Sequence, residues 1–311
     1  MKILLTGSSG MVGKNILEHP DAQAHEFLTP GSKELNLLDS KAVGDFFAQH
    51  QPDCVIHAAG RVGGIQANMA NPVGFLVDNT LMGVNVINSA HEAGVKRLIN
   101  LASSCMFPRA AANPLKESDI LQGELEPTNE GYALAKITAT RLCEYISKTD
   151  EEAQFCTLIP CNLYGRFDKF DPANSHMIPA VIRKIHEAKI AGNQQVEIWG
   201  DGEARREFMY AQDLADVIFH TLQSMSSQST LPELMNVGLG QDYTINEYYQ
   251  TVADVVGYEG EFSHDLTRPV GMRQKLIDSS IANSQGWKAK TSLVDGIEKT
   301  YRYFVEDVLN G

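Results

Sequence analysis

Along most of the chain, short apolar runs alternate with stretches whose apolar positions recur at helical spacing. Lys2–Thr6 (KILLT) is an apolar run that ends abruptly in glycines, as a buried parallel strand does. Met11–Glu18 then repeats apolar residues with a helical period, which predicts a helix burying Met11, Val12, Ile16 and Leu17. The same reading predicts strands at residues 26–29, 53–57, 95–102 and 153–160, and helices at 42–49, 71–93 and 130–148. Asp39 and Ser40 open the second helix, which turns Val43, Phe46 and Phe47 inward. Strict alternation of strand and helix implies an α/β fold: a doubly wound parallel sheet of Rossmann type with right-handed crossovers.

After Gly165 the texture changes. A polar, proline-containing loop leads into an amphipathic helix at 177–188, a short strand at 196–200, another at 235–238 and a helix after Thr244. This predicts a dinucleotide-type domain over residues 1–165, completed by about 209–240, and a smaller C-terminal α/β substrate lobe over 166–311.

Composition narrows the function classes. The chain has 311 residues, 43% hydrophobic and 21% charged, which excludes collagen, coiled coil and bulk disorder. Its formal net charge of −13 repels phosphate backbones and anionic lipid, so neither nucleic acid nor membrane is an expected partner. A small anionic ligand remains compatible if a few of the 26 lysines and arginines gather in one cleft. Five cysteines, an odd number without CxxC spacing, favour a reducing compartment, and the apolar run at the N-terminus is too short for a signal peptide. The expected location is the cytoplasm, and no metal site is expected.

Two clusters carry candidate chemistry. The first is Thr6-Gly7-Ser8-Ser9-Gly10-Met11-Val12-Gly13, between the first strand and first helix. Glycines there permit a tight turn, close approach of a pyrophosphate and close helix–strand packing, while the helix N-terminus offers unpaired N–H groups. At the end of the second strand, where an acidic residue would hold the ribose 2′-OH of NAD, stand Thr29-Pro30-Gly31-Ser32-Lys33, with no acid before Glu34. Ser32 and Lys33 suit a 2′-phosphate, which favours NADP. The second cluster is Tyr132 and Lys136, at i and i+4 on one helical face, with Ser103 at the end of the fourth strand. An adjacent ammonium is expected to lower the phenol pKa, so that the tyrosine exchanges a proton with a carbonyl oxygen that the serine also binds.

With these three residues in place, the chain resembles the extended short-chain dehydrogenase/reductases acting on nucleotide sugars, over nearly its whole length. Arg61-Val62-Gly63-Gly64-Ile65, Ser103-Ser104-Cys105, Pro127-Thr128-Asn129-Glu130, Asn162-Leu163-Tyr164-Gly165, Asn174-Ser175-His176 and Arg206-Glu207-Phe208 are similar to the GDP-L-fucose synthase branch, whose members are GDP-4-keto-6-deoxy-D-mannose 3,5-epimerase/4-reductases. The resemblance implies that Cys105 and His176 form an acid/base pair for epimerisation. A thiolate of depressed pKa and an imidazole titrating near neutrality would suit those tasks. It implies that Tyr132 protonates the C4 oxygen when NADPH supplies hydride, with Lys136 holding the ribose. It places the cofactor, NADP(H), against Gly7, Ser9, Gly10, Met11, Val12, Gly13, Ala58, Ala59, Arg61, Tyr132, Lys136, Pro160, Asn162, Leu163 and His176. The GDP-4-keto-sugar substrate would meet Lys184, Trp199, Arg206 and Lys275, with Arg206, in a glycine-containing loop, and Lys275 gripping the diphosphate. Family members usually form homodimers through two helices per subunit, here those at 71–93 and 130–148.

The chain also departs from the branch. An arginine common in the glycine turn is Ser9, arginines near the second strand end are Pro30 and Ser32, and prolines common after Glu130 and Gly165 are Gly131 and Arg166. The asparagine–phenylalanine pair usual further on reads Lys169–Phe170. Two alternatives therefore stay open: a 4-keto reductase of another GDP-4-keto deoxy- or heptose sugar, and a non-catalytic NAD(P)-sensing protein.

Overall fold

The computed structural model describes residues 1–171, 175–227, 231–268 and 271–310. Its strands are β1 (Lys2–Thr6), β2 (Glu26–Leu28), β3 (Cys54–His57), β4 (Arg97–Leu101), β5 (Gln154–Pro160), β6 (Asn162–Tyr164), β7 (Gln195–Trp199), β8 (Arg205–Arg206), β9 (Phe208–Tyr210), β10 (Leu234–Val237), β11 (Tyr243–Thr244), β12 (Glu261–Asp265) and β13 (Gln274–Lys275). The helices are α1 (Met11–Glu18), α2 (Ser40–His50), α3 (Ile65–Ala70), α4 (Pro72–Glu92), α5 (Glu130–Thr149), α6 (Met177–Ala191), α7 (Ala211–Ser226), α8 (Ile245–Val256), α9 (Ser280–Ser284) and α10 (Leu293–Tyr303).

Six parallel strands form the main sheet in the order β10-β5-β4-β3-β1-β2. Because successive strand residues point to opposite faces, β1 sends Ile3 and Leu5 to one side and Leu4 to the other. Ile3 and Leu5 join Ile16 of α1 and Leu214, Val217 and Ile218 of α7. Leu4 joins Phe47 of α2, Val86 and Ile87 of α4 and Cys143 and Ile146 of α5. The sheet is thus covered on both faces, which is why its strands read as unbroken apolar runs. Each fully buried leucine or isoleucine contributes roughly 1.5–3 kcal/mol of transfer free energy.

The sequence order reverses at β1, whose neighbours are β2 on one side and β3 on the other. That reversal opens a crevice at the strands' carboxyl ends, the usual ligand position in such sheets. A third apolar cluster packs α6, α8 and α10 against β7 and β9, with Tyr164, Tyr210 and Tyr248 fully buried. Three small sheets accompany it: β11-β8-β13, β12-β7 and β6-β9.

Two local expectations change. Leu17 is exposed, and the buried residues of α1 are Gly13, Asn15 and Ile16, with the Asn15 amide donating to Met11 O. Arg205 and Arg206 lie on strand β8 rather than in a loop, because Tyr243–Thr244 and Gln274–Lys275 pair with them from both sides. All five cysteines are free and buried. Among the described residues, no helix is long and apolar enough to cross a membrane.

Candidate functional site

The glycine turn closes the crevice floor. Gly7 has φ +72°, and a Cβ there would lie 2.8 Å from the backbone of Ala58 and Ala59. A Cβ on Gly13 would collide with the Gly7 carbonyl and Ser8. Both positions therefore require glycine, and the ends of β1 and β3 meet as closely as backbones can. Thr6 ties them: its hydroxyl accepts from Ala59 N (3.2 Å) and shares a hydrogen bond with His57 Nδ1 (2.8 Å). Burial, helped by the nearby Lys136 charge, holds His57 neutral, with a pKa lowered to about 3. Gly10 caps α1 without a side-chain partner, and its neighbour Ser9 is exposed, so the first N–H groups of Met11 and Val12 stay available to an anion. This cradle of close-packed glycines fits a dinucleotide pyrophosphate.

Around it, Ala58 and Ala59 are half-buried, and the Arg61 backbone is fixed by buried Asn79, which accepts from Arg61 N (2.8 Å) and donates to Arg61 O (3.1 Å). The Arg61 guanidinium pairs with Asp78 (2.7 Å) over the Phe75 ring. Pro160 ends β5, and Asn162 and Leu163 follow on β6, where Asn162 donates to Glu207 O (3.1 Å). Ser32 and Lys33 stand exposed beyond β2.

At the carboxyl end of β4, the Ser103 hydroxyl lies near enough to the Tyr132 hydroxyl to favour its ionised form, and it accepts from Cys105 N (3.3 Å). Cys105 lies within electrostatic reach of Tyr132, Lys136 and Lys275. The structure thus gathers Ser103, Cys105, Tyr132, Lys136 and Lys275, drawn from α5, the turn after β4, and β13.

Two electrostatic expectations are overturned. The Tyr132 phenol is raised, not lowered, because burial outweighs every other influence and the Cys105 sulfur adds to it. Lys136 points elsewhere: Nζ donates to Leu101 O (2.8 Å) and sits 5.8 Å from the Tyr132 ring centroid. Burial lowers Lys136 to about 8. The Cys105 thiol is likewise raised by burial, although Lys275, the Ser103 hydroxyl and Lys136 each pull it back. Tyr132 and Cys105 therefore both hold their protons at neutral pH.

Arg206 and Lys275 occupy register-matched positions on parallel strands β8 and β13. Burial, and then the Arg206 charge, holds Lys275 below the ordinary amine value. Two cations held together in partial burial suit a ligand carrying two negative charges. Neighbouring Arg205 faces Asp242, which accepts from its Nε (2.9 Å) and from Gln274 Nε2 (2.6 Å), so one buried carboxylate clamps all three strands. Trp199 is half-exposed at the end of β7, with the Arg268 guanidinium 4.9 Å from its ring centroid. Lys184, on α6, donates to Glu197 O of β7.

His176 is not drawn into the Ser103–Cys105–Tyr132 cluster; among the described residues no hydrogen bond or ion pair joins them. Its exposed imidazole flanks α6, with Nδ1 3.7 Å from Asp168 Oδ1. Asn174, the first residue of its motif, lies outside the described residues.

Sequence reasoning missed three supporting carboxylates: Asp168, Asp242 and Glu207. Glu207 is fully buried and accepts from Gly240 N (2.8 Å) and Ile277 N (3.0 Å); burial raises it to about 7. It ties β8 to the loops after β10 and β13. Its place beside Arg206 was the available signal.

The chain matches the NAD dependent epimerase/dehydratase family over residues 3–238. It is 56% identical over 310 residues to a Yersinia pseudotuberculosis protein named GDP-L-colitose synthase, with all of both chains covered. It is 41% identical over 312 residues to an Escherichia coli protein named GDP-L-fucose synthase, covering 98% of this chain and 97% of that one. A solved structure of a GDP-mannoheptose C4 reductase from Campylobacter jejuni with NADP bound superimposes with a TM-score of 0.89 at 32% identity, covering 98% of each chain. On its glycine cradle, its doubly wound sheet and these full-length matches, the chain belongs to the NAD dependent epimerase/dehydratase family.

Proposed function

We propose that this protein is an NADPH-dependent epimerase and 4-ketoreductase of a GDP-4-keto-6-deoxy sugar, converting GDP-4-keto-6-deoxy-D-mannose to GDP-L-fucose. The observation that carries the reading is the single cluster in which the Ser103–Tyr132 hydroxyl pair lies beside Cys105 and Lys275, with Arg206 alongside Lys275. One end of it suits a ketone oxygen and the other a diphosphate.

The chemistry follows from these groups. A ketone at C4 acidifies the hydrogens on C3 and C5. Cys105, once ionised, takes one of them onto sulfur, and the resulting enolate oxygen accepts hydrogen bonds from Ser103 and Tyr132. Protonation from the opposite ring face inverts the centre, and His176 is our choice of donor. Tyr132, whose raised pKa keeps its proton in place, donates it to the C4 oxygen during reduction. NADPH, when bound, supplies the hydride. The turn from Gly7 to Gly13 would hold its pyrophosphate, Ser32 and Lys33 its 2′-phosphate, Lys136 a ribose, and Ala58, Ala59, Arg61, Pro160, Asn162, Leu163 and His176 the remaining walls. Arg206 and Lys275 would grip the substrate diphosphate, with Trp199 and Lys184 towards the nucleoside.

A second reading rests on the full-length relative at 56% identity: the keto-sugar is the precursor of GDP-L-colitose rather than GDP-L-fucose. We also propose a homodimer. Val73, Val77 and Leu81 form an exposed apolar stripe at i, i+4 and i+8 on α4, and Leu134 and Tyr145 are exposed on the adjoining α5. Free thiols throughout suit a cytoplasmic enzyme.

Turnover of a panel of GDP-4-keto sugars with NADPH and with NADH tests the reading. Highest kcat/KM on GDP-4-keto-6-deoxy-D-mannose with NADPH supports it. Preference for the colitose-series ketone supports the second reading, and no turnover of any GDP-keto-sugar contradicts both.

A further inference from the structure

We propose that Asp168 is a positioning residue that orients His176 for proton donation; the inference rests on the epimerase reading above. Asp168 has a side chain only 4% exposed. Its Oδ1 accepts from Lys169 N (2.8 Å), while Oδ2 is buried without a hydrogen-bond partner. A buried carboxylate oxygen left unpaired costs on the order of 1–3 kcal/mol, so a donor that reaches it is favoured. The neighbouring imidazole is that of His176, whose Nδ1 lies 3.7 Å from the other oxygen, Oδ1, too far for a hydrogen bond; a side-chain rotation would bring it onto the carboxylate.

The two partners differ in rigidity. Asp168 sits on a loop whose backbone is held at several points. Phe167 adopts φ +69°, a region unfavourable for a bulky residue, and its ring lies against Lys14, Arg166 and the edge of Tyr303. The loop is tied to α1, since Asn15 donates to Arg166 O (3.2 Å) and the Arg166 guanidinium pairs with Glu18 (2.9 Å). Asp168 N donates to Gly165 O (3.3 Å). The carboxylate is therefore fixed relative to the helix that begins at the glycine cradle. His176, by contrast, precedes the first turn of α6 and uses its side chain for no cap.

When a ligand fills the space beside His176, Nδ1–H donates to Asp168. That contact sets the ring plane and leaves Nε2 free to face the substrate. Asp168 touches no reacting atom in this scheme and acts wholly through His176.

The test uses the full-length protein with ¹⁵N-labelled histidine. Ring ¹⁵N shifts of His176 are followed with GDP bound, and assigned with His176→Asn. Deuterium incorporation into the keto-sugar in D₂O and direct NADPH reduction of the ketone are measured on the same samples. For Asp168→Asn, which keeps the volume and loses the charge, we expect loss of the Nδ1-protonated signature and a fall of about tenfold to a hundredfold in deuterium incorporation, with reduction within about twofold of wild type. Asp168→Glu, which restores the charge, should recover part of the exchange. Wild-type exchange and unchanged His176 shifts in Asp168→Asn overturn the proposal, as does a parallel loss of exchange and reduction, which marks a merely structural role. If instead His176→Asn exchanges normally, the epimerase role of His176 fails first, and the proposal falls with it.

Discussion

Arg206 and Lys275 face each other as register partners on parallel strands β8 and β13, and the clamp that aligns those strands, Asp242, lies buried beside Arg205 and Gln274. Two cations 69 positions apart in an acidic chain of net charge −13 are thus fixed next to one another.

Removing Arg206 should weaken nucleotide binding and leave chemistry nearly intact; removing Lys275 should weaken binding and also slow deuterium exchange, because it takes away the charge that pulls the Cys105 thiol down. For Arg206→Ala or Lys275→Ala we expect the Kd for GDP to rise about tenfold to a hundredfold, roughly 1.4–2.8 kcal/mol. The double variant should fall short of the sum, because the two charges share one ligand. Titration calorimetry with GDP checks this, and an unchanged Kd in both single variants contradicts the diphosphate clamp.

Tyr132→Phe removes the proton that is transferred to the C4 oxygen during reduction in our scheme. Reduction should drop by about 10²–10⁴, while GDP affinity changes little. Unaltered turnover of the keto-sugar contradicts the role given to Tyr132.

The shifted groups predict two pH limbs of opposite sign. Cys105 is raised by burial, so its thiolate, and with it kcat/KM for deuterium exchange, should increase as pH rises above neutrality. Lys136 is lowered to about 8, so its ammonium, and with it kcat/KM for reduction, should be lost as pH passes that value. Parallel pH profiles for exchange and reduction would contradict this division of labour.

His57 carries an acid-stability signature. Its folded pKa of about 3 lies below the ordinary 6.5, so the stability it contributes is complete above pH 6.5 and is lost as pH falls from there towards 3. His57→Leu should flatten this part of the stability curve, although losing the Thr6 bond costs about 1 kcal/mol at neutral pH. Urea unfolding between pH 4 and 7 measures the slope; equal slopes in both proteins contradict it.

The exposed stripe on α4 predicts a mass by light scattering of about twice the 34.2 kDa chain, and Val77→Glu should give the monomer. A wild-type monomer at micromolar concentration contradicts the dimer.

Much of the sheet was legible because buried parallel strands are continuous apolar runs: β1, β3, β4 and β5 all appear within two residues of their expected bounds. The small strands β6, β8, β11 and β13 were not, since two- or three-residue strands have no period to read and exist through their neighbours. The positions of Ser103, Cys105 and Tyr132 followed from motif and fold together. Their protonation did not, because burial, which decides it for Tyr132 and Cys105, depends on residues far away in sequence. The hidden carboxylates Asp168, Asp242 and Glu207 escaped for the same reason: an acidic residue reads as surface until the chain that buries it is known.

The most direct measurement of the central claim is incubation of GDP-4-keto-6-deoxy-D-mannose with the enzyme in D₂O before any NADPH is added. The account predicts deuterium at C3 and C5, lost in Cys105→Ser, followed by GDP-L-fucose once NADPH is supplied. Reduction of the ketone with no deuterium at either carbon would contradict it.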